Sequence, residues 1–276
     1  MTTVGLLFPG EMGALVGLAV QGDVLWASEG RSDATRARAE GFRDVGTVRE
    51  LVTESELVIS LCPPAIAEEV AGEVAAEGFD GIYVEGNAIA PERVKRIAGY
   101  LRCVDGAVIS AADVNLYLSG DPADVVAVAA LFPEGDVKPL PLEGGVGAAS
   151  ALKMAFGGWN KIGAALTAQA YAIARAYAVE EALAAEGVDS ARFVRSARKA
   201  WRWAPEMEEV ADTSEALGLP GGMARGAADL FRRWDAHRDR PAELEQLLDD
   251  LTAETSGAEP AGAEADEQWS RGGSNP

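Results

Sequence analysis

Short apolar runs alternate with amphipathic stretches along the first 140 residues of the chain. Buried strands of a parallel sheet have this apolar character, and the stretches between them suit helices that cover the sheet. The pattern therefore predicts a doubly wound α/β domain. Its strands are expected over residues 3–8, 23–27, 57–61, 81–85, 103–109 and 115–119, with early helices over 12–21 and 32–40.

The pattern changes at about residue 147, where an alanine-rich stretch without proline begins and runs to about Glu186. It predicts one long helix, apolar on most faces, which must pack inside a helical domain or against a second subunit. Further helical segments are expected to split near Gly187, Pro205 and Pro220. We therefore expect an all-α second domain and a homodimer.

These patterns divide the chain into three regions. Residues 1–143 form the predicted sheet domain, residues 144–252 the helical domain for substrate binding and dimerisation, and residues 253–276 an acidic tail. The tail is rich in Gly, Ala, Glu, Pro and Ser, which bury too little apolar surface to offset the entropy of ordering the chain. We expect it to be disordered.

Acidic side chains outnumber basic ones by 44 to 24, which gives a formal net charge of −20. A field of that sign repels nucleic-acid phosphates and anionic lipid headgroups, so we expect a small-molecule substrate and neither of those partners. Strong acidity also suits a protein kept in concentrated salt, and a halophilic source is one hypothesis.

Cysteine and histidine are scarce, with two and one in the chain. Two cysteines make no disulfide framework, which favours a reducing cytoplasm. One histidine nearly excludes zinc sites and histidine-based triads, and no metal site is expected. The apolar opening lacks a basic leader and contains Pro9, Gly10 and Glu11, so we expect neither a signal peptide nor a membrane span there.

A glycine-containing turn joins the first predicted strand to the first helix, and it reads Phe8-Pro9-Gly10-Glu11-Met12-Gly13. Dinucleotide-binding folds place glycines here so that backbone N–H groups and the helix N-terminus meet a pyrophosphate. The usual G-x-G-x-x-G is incomplete, because Phe8 stands in its first slot. The turn predicts a Rossmann-type nucleotide site, with a merely tight turn as the alternative.

The end of the second strand carries residues that bear on the choice of cofactor. Arginine and a hydroxyl suit the extra phosphate of NADP, whereas a carboxylate suits the ribose hydroxyls of NAD. Arg31 and Ser32 therefore favour NADP, and Glu29 keeps NAD as an alternative. Ser32 also suits the N-cap of the next helix.

Further motifs follow in a fixed order. They are residues 60–64 (SLCPP), 84–91 (VEGNAIAP), 116–120 (LYLSG), 149–154 (ASALKM) and 203–209 (WAPEMEE). Together with the glycine turn they resemble the β-hydroxyacid dehydrogenase superfamily, in its 6-phosphogluconate-dehydrogenase-like branch with a compact C-terminal domain of unassigned function. The resemblance covers nearly all of residues 3–240, and the order of the motifs is more specific than any one of them.

The resemblance implies an oxidoreductase that uses NADP or NAD. It implies that Asn87 orients substrate and cofactor and that Ile109 and Ser110 lie in the substrate loop. The cofactor-binding residues that we expect from the turn, the second strand and the resemblance are Gly10, Glu11, Met12, Gly13, Arg31, Ser32, Cys62, Pro63, Pro64 and Asn87.

Hydride transfer from an alcohol needs a placed group that takes the hydroxyl proton. Lys153 follows a glycine-rich link and begins an apolar helix, where desolvation would lower its pKa. The resemblance assigns the matching lysine the role of general acid/base. Asn160 lies on the same helical stripe and Lys161 beside it. Both are candidate substrate contacts, with a structural or surface role as the alternative.

Two departures from the relatives bear on the substrate. Phe156 and Gly157 occupy slots where the sugar-acid decarboxylating enzymes carry histidine and asparagine. The substrate loop, usually a serine followed by glycines, reads DGAVIS over residues 105–110. Both departures argue against phosphogluconate and favour a smaller or less hydroxylated substrate.

Three functional hypotheses remain. The first is an NADP-preferring oxidoreductase that interconverts a small hydroxy acid or related alcohol and its carbonyl form, with Lys153 as general acid/base. The second, favoured by the missing histidine and asparagine, is a dinucleotide-binding sensor or subunit without turnover. The least favoured is a metal-assisted reductoisomerase, because Glu208 and Asp212 have the four-residue spacing at which two carboxylates on one helix face hold magnesium.

Overall fold

The computed structural model describes residues 2–110, 113–133 and 135–253, and the predicted tail lies outside them apart from Ala253. Within these residues the chain forms an eight-stranded sheet followed by a helical region. Strands β1 to β8 cover, in order, Thr3–Leu7, Asp23–Trp26, Arg43–Asp44, Leu57–Ser60, Ile82–Glu85, Cys103–Ser110, Val114–Ser119 and Val137–Pro141.

Among the described residues, six helices are interspersed among the strands and six more form the C-terminal region. Helices α1 to α6 cover Glu11–Ala19, Asp33–Arg38, Val48–Glu54, Ala67–Ala76, Pro91–Ala98 and Pro122–Ala129. Helices α7 to α12 cover Ala148–Ala176, Glu180–Ala185, Ala191–Ala197, Ala200–Ala216, Gly222–Arg232 and Leu244–Thr252. None of these described helices combines the length and the apolarity that a bilayer crossing needs.

The sheet has the strand order β3-β2-β1-β4-β5-β6-β7-β8, and all neighbours are parallel except β6 and β7. Helices cover both faces: Val16 of α1 packs on one, and Val70 of α4 and Ile97 of α5 pack on the other. This arrangement confirms the predicted fold class. Because the strand order reverses between β1 and β4, a crevice forms at their carboxyl ends, where open α/β sheets bind ligands.

The helical region is built around α7, a helix of 29 residues. Its core contains four aromatic residues, and the rings of Phe193 and Trp234 stack with centroids 5.9 Å apart. Buried small residues of α7 and α10, such as Ala168 and Ala211, let the helices approach closely. The predicted all-α C-terminal region is therefore confirmed.

The prediction of one helix from residue 147 to Glu186 is wrong beyond Ala176. Ala178 adopts a left-handed conformation with φ of 55°, and the amide of Val179 donates to the carbonyl of Ala174 over 2.9 Å. This is the closing bond of a Schellman-type helix end, in which alanine occupies a position usually held by glycine. The chain then restarts as α8.

The predicted split at Pro205 is also wrong, whereas those near Gly187 and Pro220 are confirmed. Pro205 lies inside α10 with an exposed ring. Its missing N–H removes one hydrogen bond near the start of the helix. The burial of Met207 and Val210 against the helical core stabilises the remaining turns.

The predicted strands and helices of the sheet region agree with the structure to within two residues at each end. Two strands were not predicted, and both lie at edges of the sheet. β3 is two exposed residues long, and β8 contains Pro139 and Pro141. Proline is tolerated at a sheet edge because no neighbour needs its missing N–H.

Candidate functional site

The turn between β1 and α1 keeps open the space that a pyrophosphate needs. A Cβ built on Gly10 would meet nothing within 4 Å, so Phe8 does not fill the space above this glycine. A Cβ on Gly13 would lie 2.7 Å from the carbonyl oxygen of Phe8, so the close approach of α1 to β1 requires glycine there. These are the roles of the second and third glycines of a dinucleotide turn.

The first turn of α1 supplies the donors for such an anion. Gly10 is the N-cap and has no side chain with which to cap the helix. The amides of Glu11, Met12 and Gly13 find no acceptor among the described residues, so they and the helix dipole remain available to an anion. The Glu11 carboxylate accepts a hydrogen bond from Arg202, which lowers the pKa of Glu11.

Phe8 takes the left-handed conformation that glycine usually supplies at its position. Its φ is 60°, and its carbonyl accepts a hydrogen bond from the amide of Gly10 over 2.7 Å. Its partly buried ring packs on the sheet face that α3, α4 and α5 cover. A left-handed non-glycine residue costs about 1–2 kcal/mol, so this turn is locally strained.

The loop after β2 brings Arg31 to this ring. The guanidinium carbon of Arg31 lies 3.7 Å from the Phe8 ring centroid. Ser32 caps α2, as predicted, by accepting a hydrogen bond from the amide of Thr35 over 3.3 Å. Glu29 is exposed. Arg31 is therefore directed toward the crevice, while Glu29 faces solvent.

The ends of β4 and β5 carry a buried polar cluster around Asn87. Its side-chain amide donates to the hydroxyl oxygen of Ser60 over 3.3 Å and to the Glu85 carboxylate, which also accepts from the Asn87 backbone N–H over 3.0 Å. The carbonyl oxygen of the Asn87 side chain is buried and finds no donor among the described residues. Asn87 therefore has a free acceptor for a ligand.

Burial controls the chemistry of the groups around Asn87. It raises the pKa of Glu85 to about 8 and that of the Cys62 thiol to about 12. Cys62 is therefore a neutral packing residue rather than a nucleophile. Pro63, which follows it, is exposed, and Pro64 opens a short 3₁₀ helix at the rim of the crevice.

Asp105 of β6 anchors the start of α7. Its buried carboxylate accepts from the backbone amides of Gly147 and Ser150 over 3.0 and 2.9 Å, and from the Ser150 hydroxyl over 2.7 Å. Burial raises the pKa of Asp105, and these hydrogen bonds oppose that shift. The bonds fix the helical turn that precedes Lys153.

Lys153 lies at the carboxyl end of β6. Its amine donates to the backbone carbonyl of Val108 over 2.6 Å, which places it beside the predicted substrate residue Ile109. Burial lowers the pKa of Lys153; the nearby Glu206 carboxylate opposes this shift and the Lys161 ammonium adds to it. Ile109 is buried and Ser110 exposed at the strand end.

Glu206 of α10 is a site residue that the sequence did not reveal. It forms a buried ion pair with Lys161, whose amine also lies 5.5 Å from the centroid of Trp203. A Cβ on Gly157 would lie 2.8 Å from a Glu206 oxygen, so the glycine in the relatives' asparagine slot makes room for this carboxylate. The only sequence signal was the acidic run that contains Glu206.

The structure groups some predicted residues and separates others. Lys153, Lys161 and Glu206 form one cluster, and Ala88, next to Asn87, packs on the helical core that contains Met154. Asn160 instead lies against Arg192, which donates to its backbone carbonyl over 3.0 Å. This contact is compatible with the structural role that was the alternative for Asn160.

Helix α10 bridges the carboxyl edge of the sheet. Arg202, near its start, pairs with Glu11 of α1 over 3.0 Å. Further along, Glu209 accepts from the backbone amide of Ala90 over 2.8 Å and pairs with Arg93 of α5. The crevice thus lies between the sheet edge and the helical region, as small-molecule sites often do.

The carboxylates considered for a metal have other partners. Glu208 pairs with Arg225 and Arg232, and Asp212 pairs with Arg225. Within the part of the chain that the structure describes, no group of three histidine, cysteine, aspartate or glutamate residues could hold a metal ion. These contacts remove the support for the reductoisomerase hypothesis.

Comparisons with known proteins agree with this architecture. Residues 174–234 match the family model "Domain of unknown function (DUF1932)". No protein with a curated description matches the chain.

Similar solved structures include two described as 3-hydroxyisobutyrate dehydrogenases. That from Mycobacterium tuberculosis, solved with L-serine, has a TM-score of 0.66 at 16% identity over 92% of this chain and 100% of its own. That from Salmonella typhimurium has a TM-score of 0.64 at 18% identity over 90% and 99%. A conserved hypothetical protein from Sinorhizobium meliloti has a TM-score of 0.63 at 22% identity over 91% and 96%. With the family match, they confirm the resemblance at the level of the fold.

Proposed function

We propose that this chain is a nicotinamide-dinucleotide-dependent oxidoreductase that interconverts a small hydroxy acid, or a related alcohol, and its carbonyl form, with NADP preferred over NAD. The observation that carries the proposal is a desolvated lysine, Lys153, fixed at the carboxyl edge of a doubly wound sheet that also has an open glycine turn. The shared fold with proteins described as 3-hydroxyisobutyrate dehydrogenases supports it.

The described residues fit a dinucleotide. The open face of Gly10 and the amides of Glu11 to Gly13 suit its pyrophosphate, and Arg31 with Ser32 suits a 2′-phosphate. The free acceptor of Asn87 suits an amide or hydroxyl donor at the opposite end of the crevice. A bound nicotinamide would supply the hydride acceptor or donor.

Lys153 then moves the proton. Burial lowers the pKa of its amine, so a larger neutral fraction exists near pH 7 than for a surface lysine. The neutral amine accepts the alcohol proton as the carbonyl forms, and the ammonium returns it in the reverse direction. The Val108 carbonyl orients the amine by accepting a hydrogen bond from it.

The charges in the cluster bear on the substrate. Lys161, a candidate anchor for a substrate anion, is paired with Glu206 and is buried. Beside Lys153, the buried Ile109 is apolar and the exposed Ser110 is polar. These features support a small substrate with few hydroxyl groups, rather than a phosphorylated sugar acid.

A direct experiment is to titrate NADPH and NADH by fluorescence and then to screen hydroxy acids and their carbonyl forms for a change in nicotinamide absorbance. Lys153→Ala should lower turnover by about 100-fold or more, because a placed general acid/base contributes that much. Lys138→Ala, which removes a lysine of β8 that pairs with Asp113, is the control and should retain turnover. Turnover near that of the unaltered protein in Lys153→Ala would remove this lysine from the mechanism.

A dinucleotide-binding sensor without turnover is the second candidate. Phe156 and Gly157 favour it, because they leave the catalytic helix without the histidine and asparagine of the relatives. Tight binding of a dinucleotide with no conversion of any screened substrate would support the sensor. If neither dinucleotide binds or shifts the melting temperature, both candidates fail.

A further inference from the structure

Phe8 and Arg31 form a contact that the glycine of an ordinary dinucleotide turn could not make. The guanidinium carbon lies 3.7 Å from the ring centroid, which is the geometry of a close cation–π stack. The left-handed conformation of Phe8 would favour glycine, yet the chain carries an aromatic residue there. The Phe8 ring therefore supplies a stacking surface for Arg31 that glycine lacks.

Arg31 is a cation without a carboxylate partner among the described residues of a strongly acidic chain. It forms no ion pair with any described residue, although the net charge of the chain is −20. Its Nε is buried and finds no hydrogen-bond partner within the part of the chain that the structure describes. Burial lowers the pKa of Arg31, and the carboxylate of Glu73 acts against this only at a distance. Such a group suits an anionic ligand.

The loop that carries Arg31 is fixed at both ends. The amide of Arg31 donates to the carbonyl of Ser28 over 3.1 Å, and the side chain of Arg36 donates to the same carbonyl over 2.9 Å. Ser32 caps the following helix. The stack on Phe8 is the remaining constraint on the long Arg31 side chain, and it uses the face of the guanidinium, leaving N–H edges for a ligand.

We propose that Phe8 is a positioning residue for dinucleotide specificity: its ring holds Arg31 across the end of β1, with the guanidinium edge presented to the 2′-phosphate of NADP. The inference rests on the proposed dinucleotide function and adds to it the residue that sets the choice of cofactor. Phe8 acts through Arg31 and not by its own contact with the phosphate. Loss of the ring should therefore affect NADPH and spare NADH.

The test is the ratio of NADH to NADPH dissociation constants in five variants, with 2′,5′-ADP and 5′-AMP as probes that need no turnover. Phe8→Leu keeps the backbone strain and the bulk but removes the π face. Phe8→Gly removes the ring, and glycine readily adopts the left-handed conformation of this position, so this variant should fold. Both should weaken binding of NADPH and 2′,5′-ADP by about tenfold, the value of a partly desolvated cation–π contact, and leave binding of NADH and 5′-AMP within about twofold.

The remaining variants complete the cycle. Phe8→Tyr keeps the ring and should retain the preference for NADPH. Arg31→Ala should lower the preference for NADPH over NADH by about 30-fold or more, because a charge-assisted phosphate contact is lost. Adding Phe8→Leu to Arg31→Ala should lower that preference no further. An unchanged ratio in Phe8→Leu, an equal loss for both dinucleotides, or a preference for NADH in the unaltered protein would overturn the inference while leaving dinucleotide binding intact. Failure of both dinucleotides to bind would instead overturn the proposed function.

Discussion

At the scale of single residues, Gly157 is a position where the missing side chain makes room for a buried ion pair. A Cβ there would lie 2.8 Å from a Glu206 oxygen and 3.6 Å from the Lys161 amine, closer to the oxygen than real contacts allow. Gly157→Ala must displace the carboxylate and loosen a buried ion pair, and breaking such a pair costs about 3–5 kcal/mol. We expect a net loss of about 2 kcal/mol in the free energy of unfolding, measured by urea denaturation.

Gly72→Ala is the matched control, because Gly72 also lies within a helix but a Cβ there meets nothing within 4 Å. That change should stabilise the protein by about 0.5–1 kcal/mol through helix propensity. Equal stabilisation in both variants would show that Glu206 moves aside without cost.

Glu85 is the residue from which we expect a pH dependence of stability. Burial raises its pKa to about 8, whereas its ordinary value is 4.5. Between these values the folded state keeps a proton that the unfolded state has lost, so the free energy of unfolding falls as the pH rises through this window. Each unit of pKa difference is worth about 1.4 kcal/mol.

Glu85→Gln cannot ionise and still offers an oxygen to the amide of Asn87. The melting temperature of this variant, minus that of the unaltered protein, should therefore increase between about pH 5 and pH 8. Glu40→Gln, at an exposed position, should give a flat difference. A flat difference for Glu85→Gln as well would mean that Glu85 stays ionised in the folded protein.

At the scale of elements, one carboxylate sets the direction of α7, the helix that carries Lys153. Asp105 of β6 accepts hydrogen bonds from two amides and one hydroxyl at the start of α7. Asp105→Ala leaves these buried donors without an acceptor and should lower the free energy of unfolding by about 3 kcal/mol. It should also lower turnover, because the next helical turn carries Lys153.

The control is Asp121→Ala, which removes the exposed N-cap of α6. Loss of an ordinary cap costs about 1 kcal/mol, and turnover should not change. If the two variants are equally stable and equally active, α7 is positioned by its packing and not by Asp105. Both quantities come from one preparation, through urea denaturation and nicotinamide absorbance.

The sequence predicted elements where local signals agree with burial. The strand that ends before Cys62 and the helix that Ser32 caps are specified by apolar runs and by a hydroxyl at the right place. Prediction from the sequence failed where tertiary packing overrides the local conformational preference of a residue. Pro205 is tolerated inside α10, and Ala178 closes α7 although neither glycine nor proline marks that end.

At the scale of the whole molecule, the site combines residues that are distant in the sequence, and this limited what could be predicted. Gly10, Gly13 and Lys153 could be proposed from the sequence because each belongs to a local motif. Glu206 and the stack of Arg31 on Phe8 depend on how α10 and the β2 loop cross the sheet edge. Spacing along the chain carries no information about such contacts.

The oligomeric state is also a property of the whole molecule. We propose that a second copy of the chain covers the outer face of α7. Trp159, Leu166 and Ile173 recur every seven residues on this helix and are 71%, 65% and 58% exposed. Positions seven apart form one line along a helix. Met223 of α11, 72% exposed, extends this face across a groove of about 500 Å³.

A continuous apolar face of this kind is rare on a monomer, so light scattering should give twice the chain mass of 28.8 kDa. The double variant Leu166→Glu with Ile173→Glu should give the single mass, because buried carboxylates would face each other across the interface. Val126→Glu alters a residue of α6 that is also 65% exposed, and it should stay dimeric. Two chains of charge −20 repel each other, so added KCl should strengthen the dimer by screening. A single chain mass at every salt concentration would leave the face of α7 without a partner of its own kind and would contradict the proposal.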